Sequence, residues 1–215
     1  MGNIYPPSEI IIDTDFVQTL SMMDVNAGLT EAVKICFCKG PDEFEQYLET
    51  VQGPDPINFP RLLTQVLETK KWFIEIDEFD KKERQLLNFG HTFGHALEVA
   101  TNHAVSHGIA VAIGMKAAIF FEEQSRAISE VELELLNYIN KLLSVTNVEA
   151  KSDLSVDWQL FDTAFAGDKK HKSDSYQLVL PNSEGGVRLQ MISKSPESLE
   201  QVKNSLKKAL EEIVK

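Results

Sequence analysis

The chain has 215 residues, 33 acidic and 21 basic, for a formal net charge of −12. That balance argues against nucleic acid and anionic membrane as partners, since both recruit basic surfaces. Two cysteines exclude a disulfide framework, and no apolar run reaches the ~18 residues of a membrane span. With no signal-peptide pattern either, the expected compartment is the cytoplasm.

In chain order, residues 10–12 (Ile-Ile-Ile) read as a short strand entering from a sheet outside this chain. Residues 1–20 read as a junction ahead of an α-helical domain covering 21–215. Apolar recurrence at helical spacing predicts helices at about 25–39, 42–51, 60–71, 80–101, 108–124, 129–146 and 196–214. Asp42 and Ser129 read as N-caps. Ser195 caps the last helix, with Pro196 at its first position, where a missing N–H costs nothing. Residues 53–59, with two prolines, form a connection. Residues 108–124 are apolar almost all round, which marks the central buried helix. Residues 176–180 and 187–191 alternate as strands around a Gly-containing turn, a β-hairpin spanning about 176–191. Cys36 and Cys38 read as core thiols. The class is therefore mainly α with one short hairpin.

Chemistry concentrates in residues 84–107. Placed on one continuous helix at about 100° per residue, Arg84, Asn88, His91, His95 and Glu98 share a stripe roughly 80° wide. A soluble helix normally buries an apolar stripe, so two imidazoles, a guanidinium, an amide and a carboxylate on one face point to a ligand. Gly90 and Gly94 leave a smooth strip for close approach. His107 opens the next apolar helix. Two or three neutral imidazoles suit Zn²⁺, with a carboxylate as the expected further ligand. Glu31, Glu98 and Asp13 are all candidates for it. The bland alternative for Glu31 and Lys34 is a surface ion pair at i, i+3.

The run Arg-x-x-Leu-Asn-Phe-Gly-His-Thr-Phe-Gly-His-Ala-Leu-Glu, from Arg84 to Glu98, followed by His-Gly-x-Ala-Val-x-x-Gly-Met, from His107 to Met115, resembles the signature of the C-terminal domain of 3-dehydroquinate synthase and related sugar phosphate cyclases. An upstream block matches from Ile12 to Leu20 and from Ala27 to Lys34, and Asp168-Lys169-Lys170 matches downstream. The resemblance implies a multi-helix C-terminal domain of the dehydroquinate synthase-like fold. It implies Glu31, His91 and His107 as ligands of Zn²⁺, with Co²⁺ as the alternative. It implies Lys34, Arg84, Asn88 and His95 as catalytic groups, and Lys70, Lys169 and Lys170 as substrate-binding lysines. Phe16, Thr19 and Leu20 fall where the family touches NAD. The implied reaction is cyclisation of 3-deoxy-arabino-heptulosonate 7-phosphate to 3-dehydroquinate with loss of phosphate, in the shikimate pathway, with a homodimer as the assembly. Inosose- or valiolone-type cyclisation is the near alternative, and a non-catalytic interaction module the distant one.

Three departures qualify the resemblance. The family's N-terminal Rossmann-like NAD domain is absent, and no Gly-x-Gly-x-x-Gly follows a strand. The chain alone is therefore expected to be inactive, needing the missing NAD-binding half. Ile109 stands where the family has Glu. Residues 79–83 lack the family's glycines.

Overall fold

The computed structural model describes residues 5, 7–53, 56–144 and 155–212. Eight α-helices and one hairpin are described: α1 Met22–Lys39, α2 Pro41–Gln52, α3 Phe59–Ile76, α4 His91–Ala100, α5 His107–Glu123, α6 Glu130–Ser144, α7 Trp158–Ala166, β1 Ser175–Pro181, β2 Val187–Ser193 and α8 Pro196–Glu211. The mainly-α expectation holds. The strands pair antiparallel from Ser175↔Ser193 to Pro181↔Val187.

Several expectations need correction. Residues 10–12 form no ladder within this structure: Ile10, Ile11 and Ile12 are exposed, and no described strand pairs with them. A 3₁₀ turn follows instead at Thr14–Thr19, capped by the Asp13 carboxylate on the Asp15 N–H (3.0 Å). Asp42 is not an N-cap. The chain turns at Gly40, φ +147°, so Pro41 takes the first helical position and Asp42 sits in the first turn, complementing the helix dipole. α3 runs on to Ile76, further than expected, and α7 was not anticipated. Ser129 does cap α6, and in reciprocal form: its Oγ accepts the Glu132 N–H (3.3 Å) and the Glu132 carboxylate accepts the Ser129 N–H (2.7 Å). Ser195 caps α8 as expected. The far ends of the helices expected at 129–146 and 196–214 lie outside the described residues.

The correction that matters most is in residues 80–101. They form a 3₁₀ turn at Glu83–Asn88, a break, and then α4. The Asp77 carboxylate builds the turn, accepting the N–H groups of Lys81 (2.9 Å), Lys82 (2.7 Å) and Arg84 (3.1 Å). Those bonds, with Lys81 foremost, hold its pKa below the usual carboxylate range. The break falls at Gly90, which has left-handed φ +77°.

α5 is the central helix: every residue from 108 to 122 is buried. α4 approaches it closely. A Cβ on Gly114 would overlap the Gly90 carbonyl oxygen and lie 2.9 Å from the Gly94 nitrogen. Because the obstruction is backbone, no rotamer relieves it. Gly114→Ala is therefore expected to lower the unfolding free energy by about 3 kcal/mol, read as a lower urea midpoint at unchanged slope.

The one lysine of α5, Lys116, is fully buried; its Nζ donates to Asn140 Oδ1 (2.7 Å) and lies 3.9 Å from the Glu212 carboxylate. Burial pushes its pKa down to about 8. Between that value and the ~10.4 of an unfolded lysine, the unfolded chain holds the extra proton. Stability therefore rises with pH across this window. Compared with Lys116→Met, the native chain is expected to gain melting temperature as pH climbs from about 8 to about 10.5. A constant difference would contradict this.

Candidate metal centre and anion pocket

The break at Gly90 makes His91 the first residue of α4, and its Nδ1 sits 3.2 Å from the Phe89 carbonyl. One turn on is His95, and Glu98 follows on the same face. After α4 the chain reverses through Asn102 and His103, both left-handed (φ +50° and +58°). The His103 N–H donates to the Glu98 carbonyl at 2.7 Å. This turn delivers His107, the first residue of α5, beside α4. α1 supplies Glu31 and Lys34 from the third side.

The three imidazoles cluster, with ring centroids 5.2 to 5.6 Å apart. Glu31 Oε1 lies 3.7 Å from His91 Nε2 and 3.9 Å from His107 Nε2. That oxygen is buried and accepts no hydrogen bond. Its partner Oε2 takes the Lys34 ammonium at 2.7 Å. Lys34 is itself only 4% exposed, which rejects the reading of this pair as a surface ion pair.

Electrostatics prepare the donors. Burial tends to raise the Glu31 carboxyl, but Lys34, then His91 and His107, outweigh it and hold it below the usual range. Burial and then the Lys34 cation push His91 down to about 3, against the pull of Glu31. Burial and then Lys170 lower His95. The set is thus an anionic carboxylate with neutral imidazoles at His91 and His95, the forms that bind a metal. In a tetrahedral zinc site with bonds of about 2.0–2.1 Å, donors stand roughly 3.4 Å apart. The Glu31–His91 and Glu31–His107 separations come close to that. A second triad, His91, His95 and His107, has its nitrogens within 4.8 Å of one another. The orphaned Glu31 oxygen favours the first set. Asp13 accepts the Asp15 N–H of the exposed N-terminal turn instead. Glu98 meets His107 at Nδ1, the opposite side of the ring (3.2 Å).

Beside this cluster is a cavity of about 360 Å³ lined by Asn88, Thr92, His95, Asp168, Lys169 and Lys170, among others. Lys170 pairs with Asp168 at 3.2 Å. Asn88 donates to the Gln85 carbonyl (2.9 Å) from the 3₁₀ turn. Asn88, His95, Lys169 and Lys170 line this one cavity, with Asn88 on the 3₁₀ turn and His95 on α4 instead of on one continuous helix face.

Other expected residues are elsewhere. Arg84 donates to the Glu78 carbonyl (3.0 Å), so in this conformation its guanidinium caps the turn. Lys70 is exposed on α3 and, among the described residues, makes no ion pair. Phe16, Thr19 and Leu20 are exposed on the first 3₁₀ turn. Leu20 joins Val17, Met22, Val25 and Leu29 in lining a groove of about 880 Å³, which contains none of the expected metal ligands or substrate lysines. The sequence reading missed Thr92 and the Glu98–His107 contact. Glu98's position one turn beyond His95 was the available signal.

Helices that converge a carboxylate and three imidazoles next to a lysine-rich cavity define a helical domain with a candidate metal and anion site. Comparison with known proteins makes this specific. The family described as 3-dehydroquinate synthase C-terminal matches residues 28–171, and the chain belongs to that family. The 3-dehydroquinate synthase of Streptococcus pyogenes is 34% identical over 190 residues, covering 88% of this chain and 53% of that protein. The enzyme of the same name from Sulfurovum is 32% identical over 214 residues, covering 99% of this chain and 59% of the relative. The chain thus spans somewhat more than half the length of the curated relatives it matches. Two solved structures share the fold. A 2-epi-5-epi-valiolone synthase from Streptomyces hygroscopicus, with NAD⁺ and Zn²⁺ bound, matches at TM-score 0.74 and 20% identity over 99% of this chain and 58% of its own. A 2-deoxy-scyllo-inosose synthase complexed with carbaglucose-6-phosphate, NAD⁺ and Co²⁺ matches at TM-score 0.74 and 22% identity over 97% and 57%. No described helix is long and apolar enough to cross a membrane.

Proposed function

We propose that this chain is the zinc-binding catalytic part of a 3-dehydroquinate synthase-like enzyme that cyclises 3-deoxy-arabino-heptulosonate 7-phosphate with elimination of phosphate. The observation that carries this reading is the buried, unpartnered Glu31 oxygen facing the Nε2 atoms of His91 and His107. A Zn²⁺ held by Glu31, His91 and His107 would supply Lewis acidity toward substrate hydroxyl and carbonyl oxygens, and NAD held beyond these residues would supply the hydride chemistry.

The chain's own residues do the rest. Lys34 keeps Glu31 ionised and adds a buried positive charge beside the substrate. His95, neutral and lining the cavity, exchanges protons with a bound hydroxyl or phosphate oxygen. Lys169 and Lys170 neutralise the substrate's anionic groups, with Asn88 offering an amide to its hydroxyls. Arg84 and Lys70 join on closure over substrate, Arg84 exchanging the Glu78 carbonyl for an anion. Phe16, Thr19 and Leu20, exposed near the start of the chain, contact the nicotinamide cofactor when the preceding half is present. The exposed apolar side chains from Ile10 to Met23 are covered by that half and by a second copy of the chain in a homodimer. The compartment is the cytoplasm.

The curated relatives favour dehydroquinate over the inosose and valiolone products, which belong to structural neighbours of lower identity. The test is phosphate release from 3-deoxy-arabino-heptulosonate 7-phosphate by this chain mixed with a separately expressed preceding half, NAD and Zn²⁺. Release should require both halves. NAD-dependent release by this chain alone, or turnover only of a hexose or heptulose phosphate used by the related cyclases, would overturn the assignment.

A further inference from the structure

We propose that Glu98 is a positioning residue for the metal centre: it binds His107 through Nδ1 and so commits Nε2 of that ring to the metal. The proposal rests on the reading that Glu31, His91 and His107 hold the ion. Glu98 Oε2 lies 3.2 Å from His107 Nδ1, and its side chain is only 16% exposed, unlike a solvated surface pair. It approaches the ring from the side opposite Glu31, whose Oε1 faces Nε2. His91 is treated the same way, with the Phe89 carbonyl at its Nδ1 and Glu31 at its Nε2. Both rings thus turn Nδ1 toward an oxygen acceptor and Nε2 toward one carboxylate oxygen.

Glu98 is itself anchored. Its carbonyl accepts the His103 N–H (2.7 Å) and the Thr101 hydroxyl (3.2 Å). These bonds tie it to the left-handed turn that places His107. The contact therefore spans α4 and the start of α5 at the point where a ligand on an exposed ring would otherwise rotate freely. Outer carboxylates of this kind typically command 10- to 100-fold in metal affinity.

The test is Zn²⁺ affinity of the purified chain by chelator competition, alongside long-range ¹H–¹⁵N correlation of the metal-free histidine rings. Glu98→Ala is expected to weaken Zn²⁺ binding about 10- to 100-fold and to abolish the Nδ1–H preference of His107. Glu98→Gln, whose amide oxygen still accepts from Nδ1, is expected to restore most of the affinity and the tautomer; it also serves as the readout should Glu98→Ala fold poorly. Unchanged affinity in Glu98→Ala, or an equal loss in Glu98→Gln, would overturn the proposal. His107→Ala separates the two readings. If it binds Zn²⁺ as tightly as the native chain, the metal centre itself is wrong; if it weakens binding and Glu98→Ala does not, only the role of Glu98 fails.

Discussion

In the enzyme reconstituted with its preceding half, His95→Ala and Lys34→Ala are each expected to cut turnover by about 10²-fold or more. His95 stands in the cavity beside the imidazole cluster, with burial and Lys170 keeping it neutral. It can accept a proton at neutral pH and return it later. Alanine leaves nothing at that position to do so. Lys34 acts differently. Its ammonium is buried on the Glu31 carboxylate at 2.7 Å, so removing it strands one buried anion and loses one buried cation. Lys34→Met, close in shape, should lose activity as Lys34→Ala does and, because it too leaves the Glu31 carboxylate without its cation, should unfold at a lower urea concentration than the native chain. Native rates in either position would remove these residues from the catalytic set.

The second large effect concerns the ion. The chain is expected to bind about one Zn²⁺ per monomer. His91→Ala and His107→Ala should each lose affinity beyond the ~10- to 100-fold of an outer-shell change, because each removes a first-shell donor. Glu31→Gln should do likewise, since it exchanges the anion for an amide. His103→Ala is the control: the same residue type, four positions before His107, exposed in the left-handed turn, and expected to bind Zn²⁺ as the native chain does. Metal analysis after dialysis reads all four. Parity between His91→Ala and His103→Ala would contradict the assignment.

Much of this was legible in the residues. The apolar circumference of 108–124 marked the central helix, and the alternation on either side of residues 182–186 marked the hairpin, because both patterns follow directly from which faces meet the core. The break between Asn88 and His91 was not legible. Residues 80–101 keep helical spacing on both sides of Gly90, and only the αL backbone there, packed close against Gly114 of α5, separates the turn from α4. A single helix therefore gave the right residues the wrong common face. α7 escaped for a related reason: at nine residues it is short, although Asp157, which caps two N–H groups, and the spacing of Trp158, Phe161 and Phe165 were available as signals. Among the carboxylates, Glu31 could not be chosen over Glu98 from spacing alone. Both are one or two turns from a key partner, and only the fold shows that one faces Nε2 and the other Nδ1.

Anomalous diffraction at the zinc edge from crystals of the Zn²⁺-loaded chain tests the metal centre most directly. One strong peak is expected, bonded to Glu31 Oε1, His91 Nε2 and His107 Nε2 at about 2.0–2.2 Å, with Glu98 still on His107 Nδ1. A peak held by His95 in place of Glu31, or no peak between α1, α4 and α5 at full loading, would contradict it.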